Sequence, residues 1–266
     1  MTAPIVTGSI SVAGSPTPFL ACGDHSNEVP DTLLFHGLGG SARHWRQVME
    51  RLPDDRRWIA VDLPGHGDNP LPAVCSGQRM RAWTEALVSA LCGDRPCGIV
   101  GHSLSGLVVL RLAITCPDRV AWLATVASAG RIDVHPELRE QLESGVVRRD
   151  FLTRCLTGPP DPATESLVAD DFGRMRLDAA SIDVWGTAGL DLRAAAASVA
   201  APCLVIGAGR DVVVSPRKSR ELSRLLPAAR LVMLDECGHY AHLEDPERVA
   251  RELSRFAASP SADSDH

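Results

Sequence analysis

Ile99-Val100-Gly101-His102-Ser103-Leu104-Ser105-Gly106 is the stretch that decides the fold. An apolar run ends in a glycine, a serine follows two residues on, and a helical pattern then begins with Leu107, Val108, Leu110, Leu112 and Ala113. A serine at a sharp strand-to-helix turn is pushed out of the backbone, with its hydroxyl exposed at the end of a sheet. Small residues are needed around it, because side chains would clash where strand and helix pass closely. The free N–H groups and positive dipole end of the following helix suit a developing oxyanion. These are the features of an activated nucleophile. The usual Gly-x-Ser-x-Gly spacing is not met in full, since Ser105 stands in the fifth place and glycine follows at Gly106. Ser105 keeps the turn small and is expected to place a second hydroxyl near a substrate pocket. Taken alone, the stretch also fits a strand ending at Gly101 and a helix capped by Ser103.

An activated serine needs a base, and the base needs an orienting acid. Pro202 to Ile206 reads as a short buried strand running into Gly207-Ala208-Gly209-Arg210-Asp211. Leu231 to Leu234 reads as the next strand, running into Asp235-Glu236-Cys237-Gly238-His239. Both stretches put a candidate just past the C-terminal end of a strand, where open α/β sheets place their sites.

Four blocks, in order, resemble the α/β-hydrolase superfamily. His36-Gly37-Leu38-Gly39-Gly40 is similar to the oxyanion loop after the third strand, and Asp62-Leu63-Pro64-Gly65-His66-Gly67 to the turn after the fourth. Gly101-His102-Ser103 is similar to the nucleophile elbow. Gly238-His239, followed by Glu244-Asp245-Pro246, is similar to the histidine loop. The resemblance spans almost the whole chain and points to the small, cofactor-free serine hydrolases with a short lid. It implies an α/β fold with a mainly parallel sheet flanked by helices, and a helical lid inserted after the sixth strand. By the same resemblance Ser103 is the nucleophile, His239 the general base and Asp211 the acid. The backbone N–H groups of Leu38 and Leu104 would form the oxyanion hole. The residues themselves support Leu104, which follows the nucleophile at the helix start. They support Leu38 only in that a glycine-rich loop can aim an N–H inward.

Rivals exist for each role. His242 falls about three residues into the last helical stretch, whereas His239 precedes it on a loop free to reach Ser103. His36, His66 and His102 sit inside the other blocks and are expected to hold neighbouring loops by hydrogen bonds; His25 and His44 have no motif support. Asp235 and Glu236 are close in sequence to His239, and Asp62 is expected to brace its own turn. Ala127-Ser128-Ala129-Gly130, after the expected sixth strand Val120 to Val126, carries no carboxylate. Eight cysteines are scattered without a Cys-x-x-Cys pair and read as small buried hydrophobes. Cys237, two residues before His239, is the one expected near the site.

A chain of 266 residues can bury one sizeable core. A net charge of −6 without a basic stripe argues against a nucleic-acid partner. No apolar run is long enough to span a bilayer. Residues 1–20 contain Pro4, Pro16 and Pro18 and lack a basic n-region, so no signal peptide is expected and a cytoplasmic location follows by default. No pair of histidines has metal-site spacing with a third ligand nearby, so neither a metal nor an organic cofactor is expected.

Ser9 to Val12 and Phe19 to Ala21 are expected to pair as a hairpin, with Thr32 to Phe35 and Trp58 to Val61 as strands. Ala42 to Leu52, Gln78 to Leu91 and Leu104 to Thr115 read as helices. Residues 1–130 and 191–257 are expected to form the core, 131–190 the lid and 258–266 a disordered tail. Within the lid, Phe151, Leu152, Leu156, Met175, Leu177 and Trp185 either line a substrate pocket or pack with one another; Phe151, Leu156 and Trp185, with Ser105, are the pocket candidates. The expected reaction is acyl transfer to water from a small molecule with a carbonyl group: an ester, thioester or lactone. Two alternatives use the same scaffold. One is non-hydrolytic biosynthetic chemistry (acyl transfer, cyclisation or elimination); the other is a ligand-binding protein without catalysis. Neither the substrate nor the oligomeric state is legible in the chain.

Overall fold

The computed structural model describes residues 3–25, 29–71, 77–144, 146–158, 161–175 and 190–261. Eight strands form one sheet: β1 (Val6–Val12), β2 (Ser15–Cys22), β3 (Thr32–Phe35), β4 (Trp58–Val61), β5 (Cys97–His102), β6 (Val120–Val126), β7 (Cys203–Ala208) and β8 (Ala229–Leu234). Their spatial order is β1-β2-β4-β3-β5-β6-β7-β8. The first two pairings, β1 with β2 and β2 with β4, are antiparallel, and every later one is parallel. A parallel sheet must be covered on both faces, and the central strands accordingly read as unbroken apolar runs. β3, β4, β5 and β7 are buried along their whole length.

Alternation along each strand divides the core in two. Leu33, Phe35, Ile99 and Val205 face α2 (Gly77–Cys92) and α3 (Leu104–Thr115). Leu34, Val100, Leu204 and Ile206 face the other way. That second face is covered by a 3₁₀ turn at Ala42–Trp45, by α1 (Arg46–Met49), and by the C-terminal helix Pro246–Ala258. The helix expected over 42–52 is therefore a tight turn followed by a single α-turn. Asp62 accepts from Ala42 N–H at 2.7 Å and Ser41 Oγ from Arg43 N–H at 3.2 Å, which ties the start of that turn to the carboxyl end of β4. The strand and helix assignments otherwise match the sequence reading to within a few residues at their ends.

Between β6 and β7 the strand–helix alternation stops. The first three helices described there are α4 (Pro136–Ser144), α5 (Arg149–Arg154) and α6 (Pro162–Arg174). Leu138, Leu142, Phe151, Leu152, Leu156, Val168 and Phe172 form a third apolar cluster, which also takes in Tyr240 and Leu243 of the core. Leu177 and Trp185 lie outside the described residues. α7 (Arg193–Ala196) leads into β7, α8 (Pro216–Leu225) joins β7 to β8, and α9 (Ala241–Glu244) and α10 (Pro246–Ala258) close the chain. α10 includes Ala258, the first residue of the expected tail; residues 262–266 lie outside the described residues.

Strand order reverses about β3, whose neighbours are β4 and β5. Connections leave such a point in opposite directions and open a crevice at the carboxyl ends of the strands. Gly37–Leu38 follows β3 and Ser103 follows β5, so both stand at this crevice.

Candidate active site

Ser103 has φ 51° and ψ −119°, a backbone region that a non-glycine residue enters only when its surroundings force it. Its N–H donates to Val126 O at 2.9 Å, and its carbonyl accepts from Gly106 N–H at 2.9 Å and from Ser128 Oγ–H at 2.6 Å. The turn closes on glycine at two places. A Cβ on Gly101 would stand 2.3 Å from Ser105 O, and one on Gly106 would stand 2.0 Å from Ser128 Oγ. Position 105 itself tolerates serine because its side chain points to the carboxyl end of the central strand β3, where Oγ–H donates to His36 O. This corrects the expectation that Ser105 sits in a substrate pocket: its hydroxyl is 1% exposed and is committed to the backbone behind the oxyanion loop.

The loops after β7 and β8 are zipped together. Gly209 N–H donates to Leu234 O and Arg210 N–H to Cys237 O, each at 2.9 Å. Asp211 and His239 are thereby brought side by side. His239 Nδ1–H donates to Asp211 Oδ2 at 2.9 Å, and Ser103 Oγ–H donates to His239 Nε2 at 2.9 Å. Asp211 Oδ1 is held by the N–H groups of Val213 at 2.7 Å and Val214 at 2.8 Å, so the carboxylate is oriented from both sides. The His239 backbone is clamped too: its N–H donates to Cys155 O at 2.9 Å, and its carbonyl accepts from His102 Nε2–H at 2.9 Å. Glu244 Oε2 takes the N–H groups of Gly238 and Thr157, both at 2.9 Å, and so ties the β8 loop to the segment after α5.

The rival residues have other partners. Asp235 and Glu236 are exposed, and Glu236 pairs with Arg210. Asp62 braces its own turn through Asp68 N–H at 2.9 Å as well as the Ala42 turn. His36 accepts from Leu63 N–H at 3.0 Å and donates to Gly37 O at 2.7 Å, and His66 Nδ1 lies 3.1 Å from Pro64 O, so each does hold a loop. His242 is fully buried, its ring 4.3 Å from that of His102 and 4.7 Å from that of Trp45. Burial drives His36, His102 and His242 well below the ordinary histidine range, with neighbouring imidazoles pushing the same way; burial takes His66 down to about 4.

A cleft of about 600 Å³, its open mouth included, lies over Ser103 and His239. Leu38 and Leu104 form its floor beside the serine, and Ile132, Leu138, Phe151, Leu152, Phe172 and Val213 give it apolar walls. Phe151 and Leu152 stand where the sequence reading put pocket residues. Leu156 does not: it lies beyond the end of α5 and packs within the third cluster. Among the described turn and cap hydrogen bonds, none takes the N–H of Leu38 or of Leu104. The thiol in the cleft is Cys155, not Cys237; burial pushes both up to about 12. Tyr240, Cys155 and Asp171 were not legible as site residues. Tyr240 carried the one available signal, as the aromatic neighbour of His239.

A sequence model of the Alpha/beta hydrolase family matches residues 32–252. The chain belongs to the alpha/beta hydrolase family. Among the relatives of this alpha/beta hydrolase is a pimeloyl-[acyl-carrier protein] methyl ester esterase of Neisseria meningitidis, 30% identical over 84% of this chain and 91% of that protein. RutD of Pseudomonas syringae, named provisionally as a carbamate hydrolase, is 30% identical over 91% of this chain and 98% of its own length. In fold, the chain is similar to an enol-lactonase from Burkholderia xenovorans, with a TM-score of 0.86 at 22% identity, covering 95% of this chain and 100% of that one. The protein is accordingly an enzyme of the hydrolase class. Among the described residues no helix is long and apolar enough to cross a membrane.

Proposed function

We propose that the protein is a serine hydrolase that cleaves a carboxylic ester, or a thioester or lactone, through an acyl-enzyme on Ser103. The observation that carries this reading is the continuous hydrogen-bonded row Ser103 Oγ, His239 Nε2, His239 Nδ1, Asp211 Oδ2, with 2.9 Å at each contact. His239 takes the Ser103 proton as Oγ attacks the substrate carbonyl, and Asp211 fixes the tautomer and stabilises the imidazolium that forms. The negative charge that develops on the carbonyl oxygen is received by the N–H groups of Leu38 and Leu104. His239 then protonates the leaving group, activates a water against the acyl-enzyme, and returns the proton to Ser103.

α4, α5 and α6 act as a lid, because their apolar side chains roof the cleft over the serine. An apolar acyl chain suits these walls, and an ester bond agrees with the named activity of the N. meningitidis relative. The test is a panel of 4-nitrophenyl esters of increasing acyl length, with wild type and Ser103→Ala in parallel. Turnover by wild type, falling about 10³-fold or more in Ser103→Ala, supports the reading. Equal slow turnover by both proteins overturns it. Recovery of the free acid as product, rather than an ester of an added alcohol or a cyclised product, separates hydrolysis from acyl transfer and cyclisation.

A further inference from the structure

α6 is an amphipathic helix whose buried face is marked by Thr164, Val168, Asp171 and Phe172. One of these is a carboxylate. Asp171 is 1% exposed, and a charge so placed is tolerated only when it is paired and hydrogen-bonded. Among the described residues, its side-chain partners come from a single segment of the core, Ser41 to His44. Ser41 Oγ–H donates to Oδ2 at 2.6 Å, His44 Nε2 lies 3.2 Å from the same oxygen, and the Arg43 guanidinium donates to Oδ1. Burial by itself pushes the Asp171 carboxyl up, but the contacts from His44, Ser41 and Arg43 outweigh it and hold it down to about 2.

Ser41 directly follows the Gly37–Gly40 loop that carries Leu38. The next residue of α6 reaches the loop itself. A Cβ on Gly39, which has φ 71°, would stand 2.4 Å from the Phe172 ring, so the ring packs directly against the glycine. Phe172 and Leu38 both border the cleft over Ser103. The end of α6 thus grips the oxyanion loop twice, by an ion cluster just after it and by an aromatic ring on its turn.

We propose that Asp171 is a positioning residue for the oxyanion loop: by holding Ser41 to His44 it seats Phe172 on Gly39 and keeps the Leu38 N–H aimed at the space above Ser103. The proposal rests on the reading of Ser103 as nucleophile and Leu38 as oxyanion donor.

The test compares Asp171→Ala and Asp171→Asn with Glu165→Ala, a control on the same helix whose carboxylate faces Arg149 and Thr153 at the surface. The readouts are kcat and KM for a 4-nitrophenyl ester, the affinity of an alkylboronic acid that forms a tetrahedral adduct on serine, and the affinity of the product carboxylate. Misplacing one of two oxyanion donors lowers kcat by about 10- to 100-fold in Asp171→Ala, and boronate affinity falls by a similar factor. KM and product affinity stay within about threefold of wild type, because ground-state binding does not use the hole. Asp171→Asn, which keeps the Ser41 bond and loses the charge, falls between, and Glu165→Ala matches wild type. Asp171→Asn decides the matter if Asp171→Ala does not melt cooperatively. Folded Asp171 variants that keep kcat and boronate affinity, or that change KM alone, overturn the proposal while leaving the serine mechanism standing. A wild type inert to both ester and boronate overturns the mechanism and the proposal together.

Discussion

Gly106→Ala tests the packing that holds the serine turn. In an open helix this change would stabilise by about 0.5–1 kcal/mol, because glycine is the poorer helix former. Here the added Cβ stands 2.0 Å from Ser128 Oγ and 2.4 Å from Ser128 Cβ, far inside contact distance. Ser128 lies just past β6 in the buried core and cannot step aside without giving up the 2.6 Å hydrogen bond from its hydroxyl to the Ser103 carbonyl. Overpacking of a filled core costs about 1–3 kcal/mol, and the lost hydrogen bond about another 0.5–1.5. The steric effect therefore wins over helix propensity, with a net loss of about 0.5–4 kcal/mol. At about 2–4 °C per kcal/mol for a domain of this size, that corresponds to a fall in Tm of roughly 1–16 °C. Activity falls with it, since the turn that presents Ser103 loses a donor to its carbonyl. Adding Ser128→Gly removes both close contacts and relieves the overpacking but not the lost hydrogen bond, whereas adding Ser128→Ala leaves the 2.4 Å contact in place and relieves less. Thermal melts and ester turnover of the single and double variants read this out. A Gly106→Ala protein as stable as wild type, or more so, refutes the argument.

Three further outcomes follow from the same geometry. Asp211→Asn keeps the shape of the row but removes the charge that sets the His239 tautomer, so kcat falls about 10³–10⁴-fold while KM changes little in steady-state assays. His36, His66, His102 and His242 are buried neutral with depressed pKa values, so the unfolded chain binds more protons than the fold once pH drops below about 6.5. Their contribution to stability is complete above that pH and is lost as pH falls toward 4; Tm declines from pH 7 to pH 5, His242→Phe flattens the decline, and a level profile contradicts this. Cys155 and Cys237 are buried thiols pushed up to about 12, so iodoacetamide at pH 8 leaves turnover intact and mass spectrometry finds neither residue alkylated until the protein is unfolded.

The strands and the positions of Ser103, Asp211 and His239 were legible because each depends on local pattern: an apolar run, then a glycine or a polar residue at its carboxyl end. The direction of a side chain within a turn was not. Ser105 sits at the second position of α3, where a hydroxyl can face the site or the sheet, and only the approach of His36 O decides for the sheet. Phe151 and Leu156 look alike in sequence, yet α5 ends between them, so one borders the cleft and the other packs inside the lid. Asp171 carries no sequence signal at all. A carboxylate in a helix of mixed polarity reads as solvated, and its burial depends on partners 128 and 130 residues away. Cys155 came into the cleft by a similar route, through its carbonyl's bond to the His239 N–H.

The most direct test of the central claim is labelling with a serine-directed phosphonate, followed by intact-mass measurement and peptide mapping, on wild type and on Ser103→Ala. The mechanism predicts one adduct per chain, located on Ser103 and absent from the variant. A folded wild type that takes up no label, or takes it up equally after Ser103 is removed, contradicts it.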